Sequence, residues 1–286
     1  MKRAITFIEL DETVSTNTFL ATYQAAEPGA ITVATAEFQS AGRGQTGNSW
    51  ESEKGKNLLF SILVEPESFP ATHAFLLSEA IALSIRDVIA DALNPASLTP
   101  PSREGALASI GEIKKELSVT VKWPNDIYVG DCKIAGILIE NTLCGQHIGR
   151  SIIGCGVDIN QQAFRFPFLN PQLSTPSQAP TPVSLRQLLG HDSDRTDILH
   201  RIIEAFRHRY TSILSPLTGT QPLHSSYLAA LYRRTGLHPY RDANGTFLAR
   251  IHDVEPSGHL ILCDESGHFR RYAFKEVEYI YTRSEE

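Results

Sequence analysis

The chain has no basic excess, no C-x-x-C pair and no long apolar run, and each absence removes a class of function. Its 286 residues carry 26 Lys and Arg against 32 Asp and Glu, a formal net charge of -6. That balance excludes a protein that is basic all over and binds nucleic acid generally, although a local basic site remains open. The four cysteines, Cys132, Cys144, Cys155 and Cys263, are scattered. No Cys/His cluster has zinc spacing, so they read as reduced packing residues in a reducing cytoplasm. No apolar run reaches the roughly 18 residues of a membrane span. The N-terminus, MKRAITFIELDETVSTN, is too polar for the apolar core of a signal peptide. No repeat is long enough for a solenoid. The class left is a soluble cytoplasmic protein, long enough for one large domain or a main domain plus a small one.

What is present reads as alternating helices and strands. STNTFLATYQAA, from Ser15, predicts a helix with Ser15 or Thr16 near its cap. ITVATAEF (31–38) and NLLFSILVE (57–65) predict strands. Between them, residues 39–56 are rich in Gly, Ser, Asn and charge and predict a long loop. From Ala71 to Leu93, Leu77, Ile81, Ile85, Val88 and Ala92 recur at helical spacing. Residues 94–116 carry Pro95, Pro100 and Pro101 and read as a loop or insertion. Three strand-like runs follow, at 119–123, 134–143 and 148–159, and then a surface loop over 160–182. RTDILHRIIEAFRHRY predicts an amphipathic helix with Ile198, Ile202, Phe206 and Tyr210 on its apolar face. Another helix is expected around Ser225–Arg234. After Gly236 short runs are broken by DANG, EPSG and ESG, which are hairpin signals. They predict a small all-β domain of about five strands, residues 236–286, after a main domain over 1–235.

GRGQTG, residues 42–47, matches G-x-G-x-x-G through Gly42, Gly44 and Gly47. A dinucleotide fingerprint needs a strand before it and a helix starting within it. The strand is expected, but NSWESEKGKN follows Gly47 and reads as more loop. Without a helix N-terminus, a pyrophosphate lacks the row of free N–H groups that would hold it. Two readings stay open: a flexible hairpin without a ligand, or an anion-binding lid. For the lid speak three glycines that allow close approach, the planar donor fork of Arg43, and Trp50, Lys54 and Lys56 just beyond.

KWPNDIYVGDCKIAG, residues 122–136, is the second constellation. Pro124 after Trp123 favours an extended approach, and Asn125-Asp126 favours a turn at a strand end. Hairpin geometry returns Lys133 to that end. An acid, an amide and a lysine there suit a nucleoside triphosphate with Mg²⁺, and equally a surface hairpin with a solvated Asp and Lys.

VSTN (14–17), QSAGRGQTGNSW (39–50), KWPNDIYVGDCKIAG (122–136) and IIGCGVDIN (152–160) together resemble the biotin–protein ligases. The resemblance covers nearly the whole chain. It implies an α+β fold: a mixed-sheet catalytic domain of the biotin/lipoate ligase type with a small C-terminal SH3-like β domain. It implies ATP and Mg²⁺ as co-substrates, biotin as substrate, and no tightly bound prosthetic group. Biotin is joined to ATP as biotinyl-5′-AMP and then passed to one lysine of a biotin carboxyl carrier protein or domain. Such a mixed anhydride must be shielded from water until that lysine arrives.

Carried over by position, Ser15, Thr16 and Asn17 line the biotin pocket, with Gln39 beside the biotin. Arg43, Gly44 and Gln45 belong to the biotin and adenylate loop, and Trp50 packs near the adenine. Lys133 contacts the biotin carboxylate and the adenylate phosphate. Asn125 and Asp126 go with ATP, Mg²⁺ and the incoming lysine, Asp126 being also the residue assigned to the metal. Gly136, Gly154 and Gly156 allow ligand and backbone to approach, and Asn160 closes the adenylate set. The residues implied as catalytic are Lys133, Arg43 and Asp126.

Two positions depart from the family pattern: Gln45 where many members have a second Arg, and Asp158 where Asn is frequent. An acid near a triphosphate is unfavourable unless it faces Mg²⁺ or solvent. Fourteen residues precede Ser15, too few for a DNA-reading domain, so no DNA and no repressor function are expected. A homodimer stays open, as relatives pair through sheet edges. The rivals are a lipoate- or octanoate-transferring ligase and a non-catalytic sensor.

Overall fold

The computed structural model of the protein describes residues 3–25, 29–45, 49–94, 117–164, 181–215 and 220–281. Gly47 and most of the two expected loops, 95–116 and 165–180, lie outside them. Among the described residues the chain forms one mixed sheet, helices on both of its faces, and a second, antiparallel sheet.

The main sheet is built on β3 (Leu58–Val64), whose seven residues are all buried. Its flanks are β2 (Ile31–Gln39) on one side and β8 (His147–Val157) on the other, both antiparallel to it. β1 (Ile5–Thr13) pairs parallel with β2 at the edge. Beyond β8 run β7 (Cys132–Cys144), β6 (Asp126–Val129) and β5 (Val119–Lys122), and β4 (Phe69–Pro70) adds to β8.

Side chains alternate across a strand, so each sheet face collects every second residue. Val33, Phe60, Ile62, Ile153 and Cys155 face one way and join the large core cluster. That face is covered by α2 (Phe75–Leu93) and α4 (Arg195–Ile213), with α3 (Leu185–Leu189) nearby. The other face carries Ala34, Leu63 and Ile152, packed around Leu20 of α1 (Thr16–Thr22). Small and polar residues continue that second face: Ser61 on β3, Gly154 and Gly156 on β8, Gly136, Leu138 and Glu140 on β7. The first face supplies a dry core, and the second leaves room above the strands.

The second sheet has five strands in the order β12-β11-β10-β9-β13. They are β9 (His238–Asp242), β10 (Gly245–Val254), β11 (Leu260–Asp264), β12 (Phe269–Tyr272) and β13 (Glu278–Tyr279). The turns fall at DANG, EPSG and ESG, so a C-terminal antiparallel sheet of five strands is as expected. Tyr240, Ile251, Leu260 and Leu262 bury into the same core cluster as the main sheet.

One element is added and two expectations change. Residues 5–13, given no assignment from sequence, form a strand; Glu9, Asp11 and Glu12 interrupt its apolar pattern, which an edge strand with one exposed side tolerates. Asp126–Val129 is strand rather than turn, and the turn is Trp123–Asn125. The last helix, α5, is Gln221–Ala229 rather than 225–234, with Pro222 in its first turn. Residues 230–232 leave the helix because β5 takes them as ladder partners: Val121 N–H donates to Ala230 O and Tyr232 N–H donates to Val121 O, both at 2.8 Å.

Candidate active site

A cavity of about 280 Å³ opens on the second sheet face, above β3, β8 and β7. The residues singled out in the sequence meet there: Ser15, Thr16, Asn17, Gln39, Arg43, Gly44, Gln45, Trp50, Asn125, Asp126, Lys133, Gly136, Gly154 and Gly156 all line it. Asn160 does not. Its side-chain N–H donates to Ser193 O and its carbonyl accepts from Ser193 N–H, both at 2.9 Å, so it clamps the chain before α4.

One end of the cavity is neutral and buried. Ser61 Oγ donates to Asn17 Oδ1 at 2.6 Å and sits 2.6 Å from Thr16 Oγ1. The Thr16 hydroxyl, with one proton, stands within reach of both Ser61 Oγ and Gln39 Oε1, the latter at 3.1 Å. Gln39 Oε1 accepts the Thr16 backbone N–H at 2.7 Å, and so satisfies the start of α1. Ser15 stands at the N-cap position but makes no capping bond; its hydroxyl is left to face the cavity. Asn17 Nδ2 donates to Glu140 Oε2 at 2.7 Å. Asn17 and Thr16 are 3% exposed and Ser61 is 0%.

The other end is charged. Lys133 Nζ lies 2.7 Å from Asp126 Oδ1, the closeness expected of a hairpin that returns Lys133 to the turn. The register does this through a bulge between Ile127 and Tyr128. Among the described residues Asp126 is the one carboxylate lining the cavity. Among the described residues no group of three or more His, Cys, Asp or Glu is placed to hold a metal. Lys122, opposite Asp126 in the ladder, also lines the cavity, between the rings of Tyr128 and Tyr279 at 5.8 and 4.8 Å. Burial pushes its ammonium below the usual range, against the pull of Asp126.

The glycines admit protein side chains as much as ligand. Gly136 and Gly156 are cross-strand partners, and the Trp50 ring lies over both. A Cβ on Gly156 would stand 2.3 Å from Trp50 Cε2, and one on Gly154 would stand 2.2 Å from Asn17 Oδ1. The Lys133 ammonium is 5.6 Å from the centre of the Trp50 ring. The glycine-rich loop is closed at its base, where Trp50 N–H donates to Gly42 O at 3.0 Å. Arg43 Nη2 donates to Glu140 Oε2 at 2.9 Å. Lys54 pairs with Asp11 and does not line the cavity. The carbonyl of Gln45 and the indole N–H of Trp50 are buried without a partner among the described residues. These are an acceptor and a donor available to a ligand.

Asp158 does not face solvent. It is 3% exposed and accepts from Asn57 Nδ2 at 2.8 Å. Burial raises its pKa well above the ordinary carboxylate value, and it is not among the residues that line the cavity. Asn125 lines the cavity and also has a structural part: its amide donates to Ile137 O, and Ile137 N–H donates to Asn125 O at 3.0 Å. It fastens the turn to β7.

The second sheet holds the same turn from behind. Trp123 Nε1 donates to Gly258 O at 3.0 Å, and Phe274 packs edge-on at 6.3 Å. His224 of α5 bridges the two units, 2.7 Å from Glu79 of α2 and 3.0 Å from Asp253 of β10. Sequence reasoning missed Ser61, Lys122, Glu140 and this histidine. Lys122 stood inside the quoted motif. Ser61, in an otherwise apolar buried strand, was the one other available signal.

The Biotin/lipoate A/B protein ligase family matches residues 10–158, just over half of the chain. The chain belongs to that family. Among curated relatives it is 27% identical over 237 residues to the bifunctional ligase/repressor BirA of Bacillus subtilis, and spans 62% of that protein's length. It is 27% identical over 239 residues to the biotin–[acetyl-CoA-carboxylase] ligase of Paracoccus denitrificans, covering 81% of this chain and 84% of that one. The biotin protein ligase of Aquifex aeolicus, solved with biotin and ATP, superimposes with a TM-score of 0.69 at 20% identity, over 97% of this chain and 99% of the other. At that identity the likeness shows the fold.

Proposed function

We propose that the chain is a biotin–protein ligase that works in the cytoplasm on MgATP, biotin and a biotin carboxyl carrier domain. The observation that carries the reading is the division of one cavity into a neutral hydrogen-bonding end and a lysine–carboxylate end. A cyclic urea offers donors and an acceptor without charge, which suits Ser15, Thr16 and Asn17. A carboxylate meeting a phosphate needs positive charge, which suits Lys133 and Arg43.

In the first step a carboxylate oxygen of biotin attacks the α-phosphorus of ATP and pyrophosphate leaves. Lys133, held by Asp126, offsets the negative charge brought together there. Mg²⁺ arrives with the nucleotide, and Asp126 is the carboxylate available to it. In the second step a carrier lysine amine attacks the acyl carbon and AMP leaves. Asp126 is the acceptor nearest to hand for the amine's proton. Gln45 Oε1 and Trp50 Nε1 offer unfilled hydrogen bonds to the adenylate.

The test is to incubate the protein with labelled biotin, MgATP and a carrier domain. Label is expected on the carrier lysine. Transfer of lipoate or octanoate in place of biotin would overturn the substrate assignment.

A further inference from the structure

Strand alternation puts Glu140 on the same face as Gly136 and Leu138, at the rim of the cavity rather than in its lining. Its Oε2 accepts from two segments far apart in sequence: from Asn17 Nδ2 at 2.7 Å and from Arg43 Nη2 at 2.9 Å. Through Asn17 the bonds continue to Ser61 and Thr16. We propose that Glu140 is a positioning residue: it docks Arg43 at the cavity and couples that docking to the amide of Asn17.

Three physical consequences support the assignment. A carboxylate only accepts, so it fixes Asn17 with Nδ2 toward Glu140 and Oδ1 toward Ser61. The Arg43 side chain has Glu140 as its partner among the described residues. That contact uses one of five N–H donors and leaves the rest of the fork for an anionic ligand. Finally, the sign of the effect depends on Arg43. With Arg43 in place the carboxylate is neutralised and orients the cation. Without Arg43 it is an unpaired negative charge beside an anionic ligand.

The proposal rests on the ligase reading for the identity of that ligand, and its test has one arm that needs no ligand. In the first arm the ligand-free protein is treated with trypsin and cleavage after Arg43 is followed by mass spectrometry. Because both side chains are partly exposed, at 47% and 41%, Glu140→Gln is expected to speed that cut on the order of two- to fivefold. In the second arm the release of biotinyl-5′-AMP is timed. Glu140→Gln is expected to shorten retention by a similar factor in the wild-type background, and to leave it unchanged or lengthen it in Arg43→Ala. A purely structural role for Glu140 would shorten retention equally in both backgrounds, and that result overturns the proposal. So does an unchanged rate of cutting. If Glu140→Gln does not fold, Glu140→Asp keeps the charge but shortens the reach, and is expected to move both readouts the same way by less. If the wild type makes no adenylate from biotin and ATP, the ligase reading fails and the tryptic arm alone decides Glu140.

Discussion

The two ends of the cavity are made of opposite materials. At one end Thr16, Ser61 and Asn17 form a buried row of neutral groups, each serving its neighbour. At the other, Lys133, Asp126 and Lys122 place three charged groups around one turn. A neutral row is held by short mutual contacts, and a buried polar group left unpaired is costly. A charged cluster acts at a distance and is tuned by burial, as the depressed Lys122 pKa illustrates. On the proposed reading, selection of an uncharged ring falls to the first end, and phosphate and carboxylate chemistry to the second. The two are joined by a sheet face on which glycine replaces bulk.

That contrast breaks most sharply at Lys133. Lys133→Ala is expected to lower adenylate formation, measured as pyrophosphate release, by on the order of 10²–10³-fold. Binding of biotin alone, measured by calorimetry, should fall far less. Comparable losses in both would mean that the two ends are not separate.

Gly154→Ala attacks the neutral end. Its Cβ would lie 2.2 Å from Asn17 Oδ1, whose side chain is held on both sides. Overpacking of this kind costs about 1–3 kcal/mol. Biotin affinity is expected to drop roughly tenfold, the equivalent of about 1.4 kcal/mol, while the Lys133–Asp126 pair stays intact.

His224→Ala tests the charged end from outside. Burial opposes its charge, but Glu79 and Asp253 outweigh that and raise its pKa above the ordinary 6.5. Its contribution to stability is therefore full below the unfolded value and is lost as pH rises through the folded one. Removing it should cost on the order of 1–3 kcal/mol in acid and less in alkali, measured by denaturant unfolding. Since the second sheet supports the Trp123–Asn125 turn, adenylate formation should suffer before biotin binding does.

Much of this was legible beforehand. The strands at 31–38 and 57–65, the long helices and the hairpin turns at DANG, EPSG and ESG follow from period and turn chemistry. Fourteen of the cavity residues followed from motif resemblance; Lys122 lines it without having been assigned, and Asn160 was assigned without lining it. What stayed hidden depended on distance in the fold. Nothing near Glu140 in sequence says that it meets Asn17 and Arg43. His224 reads as one of ten histidines until α5 sets it between Glu79 and Asp253. Asp158 looked anomalous only because its burial beside Asn57 could not be seen.

GRGQTG shows the division most clearly. The sequence alone argued against a helix N-terminus here to hold a pyrophosphate, because helix signals are local, and residues 49–57 form none. It also determined that Lys133 would return to the turn beginning the next strand, because a short hairpin has little choice. Only the tertiary structure decided where Arg43 rests, that Trp50 lies in the hollow over Gly136 and Gly156, and that the Gln45 carbonyl has no protein partner among the described residues. Those contacts join residues roughly a hundred positions apart, and no local periodicity encodes such a meeting; the packing of two strands and a loop does.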